Sequence, residues 1–262
     1  MDLNLSGRHA LVCGASEGIG RAAAHELALL GASVTVLARR APVLAEVAAA
    51  LPIVAPGQSH DWHAADLADH AALRAGVEAR LARAPVHILV NNTGGPPGGR
   101  AIDAGAEAYL EAFQRHLLAN QLLAQAVVPG MREAGWGRIV NVVSTSVKEP
   151  IANLGVSNTI RGAVAAWAKT LSRELGAGGI TVNNVLPGYT RTGRLQQILA
   201  DRSAASGKDE ATVAAGMLAT VPAGRFADPG EVAAAIAFLA SPAAAYISGV
   251  SLAVDGGRMQ SI

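Results

Sequence analysis

Seven short apolar runs alternate along the chain with longer segments rich in alanine and leucine. Short runs of this kind predict buried strands, and the longer segments between them have the apolar spacing of helices. Strands and helices that alternate in this way form a parallel sheet with helices on both faces. The sequence therefore predicts an α/β fold with a doubly wound sheet of about seven parallel strands. We expect these strands at residues 9–13, 33–37, 62–65, 86–90, 138–143, 181–186 and 250–254.

The connections between these elements are short, so we expect one domain over residues 1–262. Helices are predicted at residues 21–30, 67–81, 155–175 and 231–239. Two stretches interrupt the alternation, namely the glycine- and proline-rich residues 94–99 and the polar residues 188–225 between the last two strands. Long irregular connections often form lids, so we predict that residues 188–225 cover a substrate.

A glycine-rich turn joins the first predicted strand to the first predicted helix. It contains Gly14, Ser16, Glu17, Gly18, Ile19 and Gly20. Glycines let a backbone turn sharply and approach a pyrophosphate, and the free amides at a helix N-terminus supply positive potential. A plain tight turn is the alternative. The position between first strand and first helix favours a dinucleotide site and a Rossmann-type sheet.

The end of the second predicted strand bears on the choice of cofactor. An NAD-specific site usually places a carboxylate there to hold the ribose 2′-hydroxyl, and this chain has Ala38 instead. Arg39 and Arg40 follow, and guanidinium groups form charge-assisted bonds with a 2′-phosphate. We therefore predict NADP(H) as the cofactor. Two solvated arginines at the start of a helix are the alternative.

Composition and charge exclude several other classes of function. Lys and Arg together number 21 against 20 Asp and Glu, without a dense basic block, which argues against nucleic-acid binding. Cys13 is the single cysteine, so we expect neither an internal disulfide nor a metal site. We also expect no export signal and no membrane span, because the N-terminus is charged and no stretch reaches roughly 20 apolar residues. A cytoplasmic location fits these features.

Polar and glycine residues follow the third to sixth predicted strands, where ligands of open α/β sheets bind. They are Asp66-Leu67, Asn91-Asn92-Thr93-Gly94, Ser144, and Pro187-Gly188 with Thr190 and Thr192. Together with the glycine-rich turn they resemble the short-chain dehydrogenase/reductase family, over essentially the whole chain. The resemblance implies that the glycines bind pyrophosphate, that Asp66 and Leu67 take the adenine, and that residues 187–192 meet the nicotinamide end. Thr93 replaces the family's usual alanine, and Cys13 its usual threonine.

The resemblance is incomplete where the chemistry occurs. In the family an asparagine, a serine, a tyrosine and a lysine four residues beyond it carry the reaction, and Asn120 and Ser144 match the first two. The tyrosine and lysine positions hold Ser157 and Arg161. No other tyrosine restores the pair, since Tyr109, Tyr189 and Tyr246 all lack a lysine at the fourth following position. The chain therefore resembles the 3-oxoacyl-(acyl-carrier-protein) reductase-like branch with an imperfect set of active-site residues.

These two substitutions change the available proton chemistry. Residues 157 and 161 lie one helical turn apart, so both can face one ligand. A serine hydroxyl does not readily act as an acid by itself, and an arginine is effectively never deprotonated. Lys148, Tyr189 and His116 are candidate substitutes, although each residue type at such a position is more often structural or solvated.

The sequence supports three interpretations of function. The first is an NADPH-dependent reductase of a small-molecule carbonyl compound, with a 3-oxoacyl thioester as the substrate that the resemblance suggests. The second is an inactive NADP(H)-binding sensor or assembly protein. The third is another reaction on the same scaffold, such as dehydration or imine reduction. The resemblance also implies a homotetramer or homodimer, joined through the helical regions around residues 107–125 and 155–175 and the last strand.

Overall fold

A seven-stranded parallel sheet forms the centre of the protein, described by a computed structural model over residues 1–261. The spatial order is β3-β2-β1-β4-β5-β6-β7, so the direction of strand addition reverses next to β1. The strands are β1 (His9–Cys13), β2 (Ser33–Ala38), β3 (His60–Ala64), β4 (Ile88–Asn91), β5 (Gly137–Val142), β6 (Ile180–Pro187) and β7 (Ser251–Val254). All seven strands that the sequence predicts are present, with ends that differ by up to two residues.

Nine α-helices are present among the described residues. They are α1 (Gly18–Leu29), α2 (Ala41–Ala49), α3 (His70–Leu81), α4 (Ala106–Phe113), α5 (Ala119–Glu133), α6 (Gly155–Leu175), α7 (Gly193–Ser206), α8 (Glu210–Leu218) and α9 (Pro229–Ala240). Within residues 1–261 none of them combines the length and apolar character needed to cross a membrane.

The sheet separates two apolar cores. Because successive strand side chains point to opposite faces, Ala10 and Val12 pack with α1, α2 and α9, whereas Leu11 and Cys13 pack with α3, α5 and α6. Two-sided burial explains why the strands appear in the sequence as continuous apolar runs. The predicted doubly wound α/β fold is confirmed.

A row of polar side chains links the four neighbouring strands β4 to β7. Asn91 donates to Asn141 at 2.8 Å, Asn141 donates to Asn184 at 3.0 Å, and Asn184 donates to Ser251 at 3.1 Å. The same residues are paired in the backbone register. Buried amides that satisfy one another favour a single strand register. The row therefore helps to fix the register of β4 to β7.

The region at residues 188–225 differs from the expected irregular connection. It contains α7 and α8, separated by Gly207, whose φ of 69° ends the first helix. Asp209 then caps α8 by accepting a hydrogen bond from the Thr212 amide at 2.8 Å. The polar composition concealed these helices because they are largely exposed, with one buried side chain each, Leu195 and Met217. That this region covers a substrate stays a prediction.

Candidate active site

The loops at the carboxyl ends of the strands surround a cavity of about 820 Å³. Nearly all of the residues that the sequence analysis singles out line it. They are Gly14, Ser16, Glu17, Gly18, Ile19, Arg39, Arg40, Asp66, Leu67, Asn92, Thr93, Gly94, Ser144, Ser157, Arg161, Pro187, Gly188, Thr190 and Thr192. The structure therefore brings the glycine-rich turn and the Ser157/Arg161 pair to one continuous space.

The glycine-rich turn has the backbone geometry that close approach of a ligand requires. Gly14 and Gly18 have φ values of 59° and 57°, which side chains other than glycine rarely adopt. A Cβ at Gly20 would collide with the Gly14 carbonyl oxygen, so Gly20 supports the turn from behind instead of lining the cavity. The extended N-cap residue Glu17 makes no side-chain cap to α1. The first amides of α1 are thus available to an anion.

The two arginines after β2 differ in their partners. Arg40 donates to the Glu17 carboxylate at 2.6 Å and to the Ser16 hydroxyl at 3.2 Å. Arg39 has no ion pair with any of the described residues, although it lines the cavity. Arg39 is therefore the guanidinium that is free to meet a 2′-phosphate, with Arg40 held nearby by Glu17.

Asn92 and Asp66 shape the part of the cavity that lies at the ends of β4 and β3. The Asn92 amide donates to the carbonyl oxygens of Cys13 and Gly14 at 3.3 and 3.2 Å, which ties the end of β4 to the glycine-rich turn. Asp66 accepts a bond from the Ala68 amide at 3.0 Å and lies 3.6 Å from Arg115. These bonds hold the walls of the cavity in place without occupying its interior.

The far end of the cavity is shaped by the segment after β6. Gly188 leaves room for Asp255, because a Cβ there would lie 2.7 Å from the Asp255 Cα. Thr190 donates to the Gly188 carbonyl at 3.2 Å, and Thr192 donates to the Thr190 carbonyl at 3.3 Å. The Thr192 methyl group approaches the position that a Cβ at Gly18 would occupy, at 3.0 Å. The segment thus reaches back to the glycine-rich turn.

Ser144 follows β5 and begins a short 3-10 helix, Thr145–Val147. Its hydroxyl oxygen accepts a hydrogen bond from the Ser146 amide at 3.1 Å. Since that bond uses an acceptor position, the hydroxyl hydrogen remains free to donate to a ligand in the cavity.

Ser157 and Arg161 lie on the face of α6 that meets the cavity. The Arg161 Nη1 group donates to the carbonyl oxygens of Val142 and Val143 at 3.1 and 2.8 Å. Burial, with a smaller contribution from Arg194, lowers the pKa of Arg161 to about 10. The guanidinium therefore stays charged at neutral pH, so Arg161 provides positive charge and hydrogen bonds but no transferable proton.

Asn120 lies behind the cavity wall, buried in the first turn of α5. A π-helical turn, Gln114–Leu118, immediately precedes it. Such turns are rare and frequently occur at functional sites. Asn120 does not belong to the described residues that line the cavity. Any role of Asn120 in the reaction would therefore have to act through water or through a neighbouring residue.

The three candidate replacement acids differ in position. His116 lines the cavity, but burial and the charges of Arg161 and Arg115 lower its pKa to about 3, so its imidazole is neutral at pH 7. Tyr189 also lines the cavity, packed edge-to-face against Phe226 and beneath the Arg258 guanidinium. Lys148 is exposed and does not contribute to this cavity. Within residues 1–261, Tyr189 is therefore the one tyrosine that lines this cavity.

The sequence analysis missed three charged residues that line the cavity, namely Glu111, Arg115 and Arg194. Arg194 follows Thr192 by two residues, and its Nη2 donates to the Pro96 carbonyl oxygen at 2.7 Å. A signal was present, because Arg194 stands directly after the segment predicted to meet the nicotinamide. Glu111 and Arg115 form an ion pair of 3.2 Å one turn apart in a helical region, where the sequence pattern is that of an ordinary solvated face.

The match to known proteins extends over nearly the whole chain. A family model described as enoyl-(acyl-carrier-protein) reductase matches residues 14–258. The chain is 36% identical over 258 residues to the 3-oxoacyl-(acyl-carrier-protein) reductase of Vibrio cholerae, covering 97% of this chain and 98% of that protein.

Solved structures agree with this relationship. The L-sorbose reductase of Gluconobacter frateurii, in complex with NADPH and L-sorbose, superposes with a TM-score of 0.92 at 30% identity over 100% of both chains. An NADPH-dependent reductase involved in bacilysin biosynthesis superposes with a TM-score of 0.91 at 30% identity, over 98% of this chain and 100% of that one. The chain therefore belongs to the short-chain dehydrogenase/reductase family, in its 3-oxoacyl-(acyl-carrier-protein) reductase-like branch.

Proposed function

We propose that the protein is an NADPH-dependent oxidoreductase that reduces a carbonyl group to an alcohol with an altered set of active-site residues. The observation that carries this proposal is the placement of Ser144, Ser157 and Arg161 on the same cavity as the glycine-rich turn. The relatives support it, because those named above are reductases and two of the solved structures carry NADPH in their descriptions.

The residues present fit NADP(H). Gly14 and Gly18 line the cavity with positive φ values, Gly20 supports the turn from behind, and the first amides of α1 are without a side-chain cap and available to a pyrophosphate. Arg39 supplies an unpaired guanidinium for the 2′-phosphate, and Ala38 supplies no competing carboxylate. When bound, the reduced nicotinamide supplies the hydride that the carbonyl carbon receives.

In this proposal Ser144 donates its free hydroxyl hydrogen to the carbonyl oxygen and polarises it. Ser157 donates a second hydrogen bond, and the Arg161 charge stabilises the negative charge that develops on that oxygen. The oxygen then takes a proton from water, or from Tyr189, since Arg161 does not release one. Asn120 would hold a water behind the wall. A 3-oxoacyl thioester is the proposed substrate to test first, because the Vibrio cholerae relative is named for that substrate.

The test measures NADPH oxidation with a panel of ketones and acetoacetyl thioesters. Wild type is compared with the double variant Ser157→Tyr/Arg161→Lys, and NADPH binding is measured in parallel by fluorescence titration. Wild-type turnover supports the proposal. Tight NADPH binding with no wild-type turnover, but with turnover in the double variant, would instead support an inactive NADP(H)-binding protein.

We also propose that the protein self-associates. Leu110, Phe113 and Leu118 are exposed apolar side chains near the start of α5, and Leu252 is exposed on the edge strand β7. Apolar groups gathered at helix faces and sheet edges are typical of interfaces between identical chains. Sedimentation velocity on the full chain tests this, and a purely monomeric protein at micromolar concentration would contradict it.

A further inference from the structure

Two guanidinium groups converge at the reactive part of the cavity. Gly95 lies between them, and the point at which a Cβ on Gly95 would stand is 3.4 Å from Arg161 Nη2. The same point is 3.7 Å from Arg194 Nη2 and 3.8 Å from Arg194 Nε. Because Gly95 has no side chain, the space that both groups face is open to a ligand.

Neither guanidinium has an acidic partner. Three carboxylates line the cavity, and each has another arginine: Glu17 pairs with Arg40, while Asp66 and Glu111 pair with Arg115. Over residues 1–261 no carboxylate lies within salt-bridge distance of Arg161 or Arg194. The acids of the cavity are thus committed elsewhere, and these two positive charges remain uncompensated.

Both groups also have donors to spare. Arg161 uses Nη1 for two backbone carbonyls, which leaves Nη2 and Nε without a protein acceptor among the described residues. Arg194 donates from Nη2 to the Pro96 carbonyl, and its Nε and Nη1 groups have no protein acceptor among the described residues. The two positive charges repel each other, and the charge of Arg194 contributes to the lowered pKa of Arg161.

The position of Arg194 in its helix points in the same direction. Arg194 is the second residue of α7, where the helix dipole disfavours a positive side chain. Arg161 and Arg194 therefore place two adjacent cations on one space, and no carboxylate of residues 1–261 lies within salt-bridge distance of either. A ligand carrying negative charge would pair with both guanidinium groups.

We propose that the substrate of this enzyme is an oxo acid, whose carboxylate binds between Arg161 and Arg194 while its carbonyl meets Ser144. This inference rests on the proposed reductase function and names the substrate class. The planar fork of an arginine matches the two oxygens of a carboxylate, so the pair selects substrates by charge as well as by shape. The same chemistry would also suit a cofactor phosphate, and the experiment below separates these two sources.

The test uses oxo acids beside their methyl esters. Pyruvate, acetoacetate and levulinate place the carboxylate at increasing distance from the carbonyl, and each methyl ester removes the negative charge and adds one methyl group. For at least one of the three we expect kcat/KM with NADPH to be about 10- to 100-fold higher for the acid than for the ester. Equal values for all acid and ester pairs, with turnover present, would overturn the inference while leaving the reductase proposal intact.

Variants of Arg194 assign the preference to this site. Arg194→Met should raise KM for the preferred acid by about 10- to 100-fold and should remove most of the preference for the acid over its ester. Arg194→Lys keeps the charge without the fork and should give an intermediate KM. Arg74→Met is the matched control, because Arg74 is exposed on α3 outside the cavity, and it should leave both substrates unchanged.

Binding measurements distinguish the remaining outcomes. The acids and esters are titrated into the NADP⁺-loaded protein by calorimetry, so a preference for the acid that Arg194→Met abolishes supports the inference even without turnover. If no acid binds better than its ester, the inference fails whatever the rate. A rise in the dissociation constant of NADPH in Arg194→Met, with the acid preference retained, would assign Arg194 to a cofactor phosphate and would also overturn it.

Discussion

The two ends of the cavity are built in different ways. At the cofactor end, formed by Gly14, Gly18, Gly20 and Arg39, binding depends mainly on backbone conformation and on the absence of side chains. At the reactive end, formed by Ser144, Ser157, Arg161 and Arg194, it depends on what the side chains carry. The cofactor end keeps the glycines of the family's turn, whereas at the reactive end Ser157 and Arg161 stand at the positions of the family's tyrosine and lysine and carry different chemical groups.

This difference shows that the backbone positions that form a site and the chemical groups that they carry can change independently. Residues 157 and 161 face the cavity because α6 presents that side, and their identity does not alter the helix. Gly14 and Gly20 have no such freedom, since a Cβ at either position meets backbone atoms. Function must therefore be argued from the reactive end, and cofactor binding from the turn.

The sharpest way to break the cofactor end is Gly20→Ala. The new methyl group would overlap the Gly14 carbonyl and lie 2.8 Å from the Asn92 amide nitrogen, so the turn must open. Overpacking of this kind costs about 1–3 kcal/mol or more, and we expect fluorescence titration to detect no NADPH binding.

The control for this substitution is Gly216→Ala in α8, where a Cβ meets nothing within 4 Å. It should stabilise the helix by about 0.5–1 kcal/mol in urea unfolding and leave NADPH affinity unchanged. If Gly20→Ala binds NADPH like wild type, the turn does not form the pyrophosphate site and the comparison between the two ends collapses.

The reactive end is probed by Ser144→Ala. This change removes the hydroxyl that is free to donate into the cavity, together with its one hydrogen bond from the Ser146 amide, and it lies outside the cofactor end. Loss of one such donor typically lowers kcat by about 10²- to 10³-fold. We expect that loss in steady-state NADPH oxidation, with an unchanged dissociation constant for NADPH. A wild-type kcat would show that another group polarises the carbonyl.

The sequence predicted the elements that depend on pattern and missed those that depend on packing. β1, the glycine-rich turn and the start of α1 follow from local residue types, and Gly18 opens α1 three residues before the predicted start. The helices α7 and α8 were missed because their exposed faces lack the apolar period that predicts a helix. The sequence analysis found Arg161 by its spacing from Ser144.

Arg194 shows what sequence spacing does not reveal. Its proximity to Arg161 depends on how α7 folds back over Gly95, a contact between parts of the chain that lie far apart in sequence. The same is true of His116, whose neutral state results from burial beside Arg161 and Arg115. The position of Arg194 and the charge state of His116 therefore depend on contacts in the folded protein, which local sequence patterns do not predict.

A smaller effect at the cofactor end should come from Arg39→Gln. Arg39 has no ion pair among the described residues, so its removal costs a charge-assisted contact to the 2′-phosphate. We expect the dissociation constant of NADPH to rise about tenfold and that of NADH to stay unchanged. Arg40→Gln is the comparison, with a weaker effect because Arg40 is already bound to Glu17. Equal losses for NADPH and NADH would remove Arg39 from the 2′-phosphate.

The smallest effect on turnover is expected from His116→Gln. Because burial and two arginines hold the pKa of His116 at about 3, its imidazole carries no proton to give between pH 5 and 8. The variant should keep the pH profile of kcat/KM over that range. A step near pH 6.5 that disappears in the variant would show that His116 is the missing acid. The reactive end would then contain a proton donor of its own.

The same pKa predicts a separate effect on stability. Between the ordinary histidine value of 6.5 and about 3, the unfolded chain binds a proton at His116 that the folded chain does not. The free energy of unfolding should therefore fall as the pH drops through this window, by up to about 1.4 kcal/mol per pH unit from this group. Urea unfolding from pH 7 to pH 4.5 measures the slope, and His116→Gln should reduce it. His9, with a pKa lowered to about 4 by burial and Arg80, contributes a slope of the same sign that this variant leaves in place. An unchanged slope in His116→Gln would mean that folding does not lower the pKa of His116, and its imidazole would then take up a proton beside Arg161 as the pH falls through about 6.5.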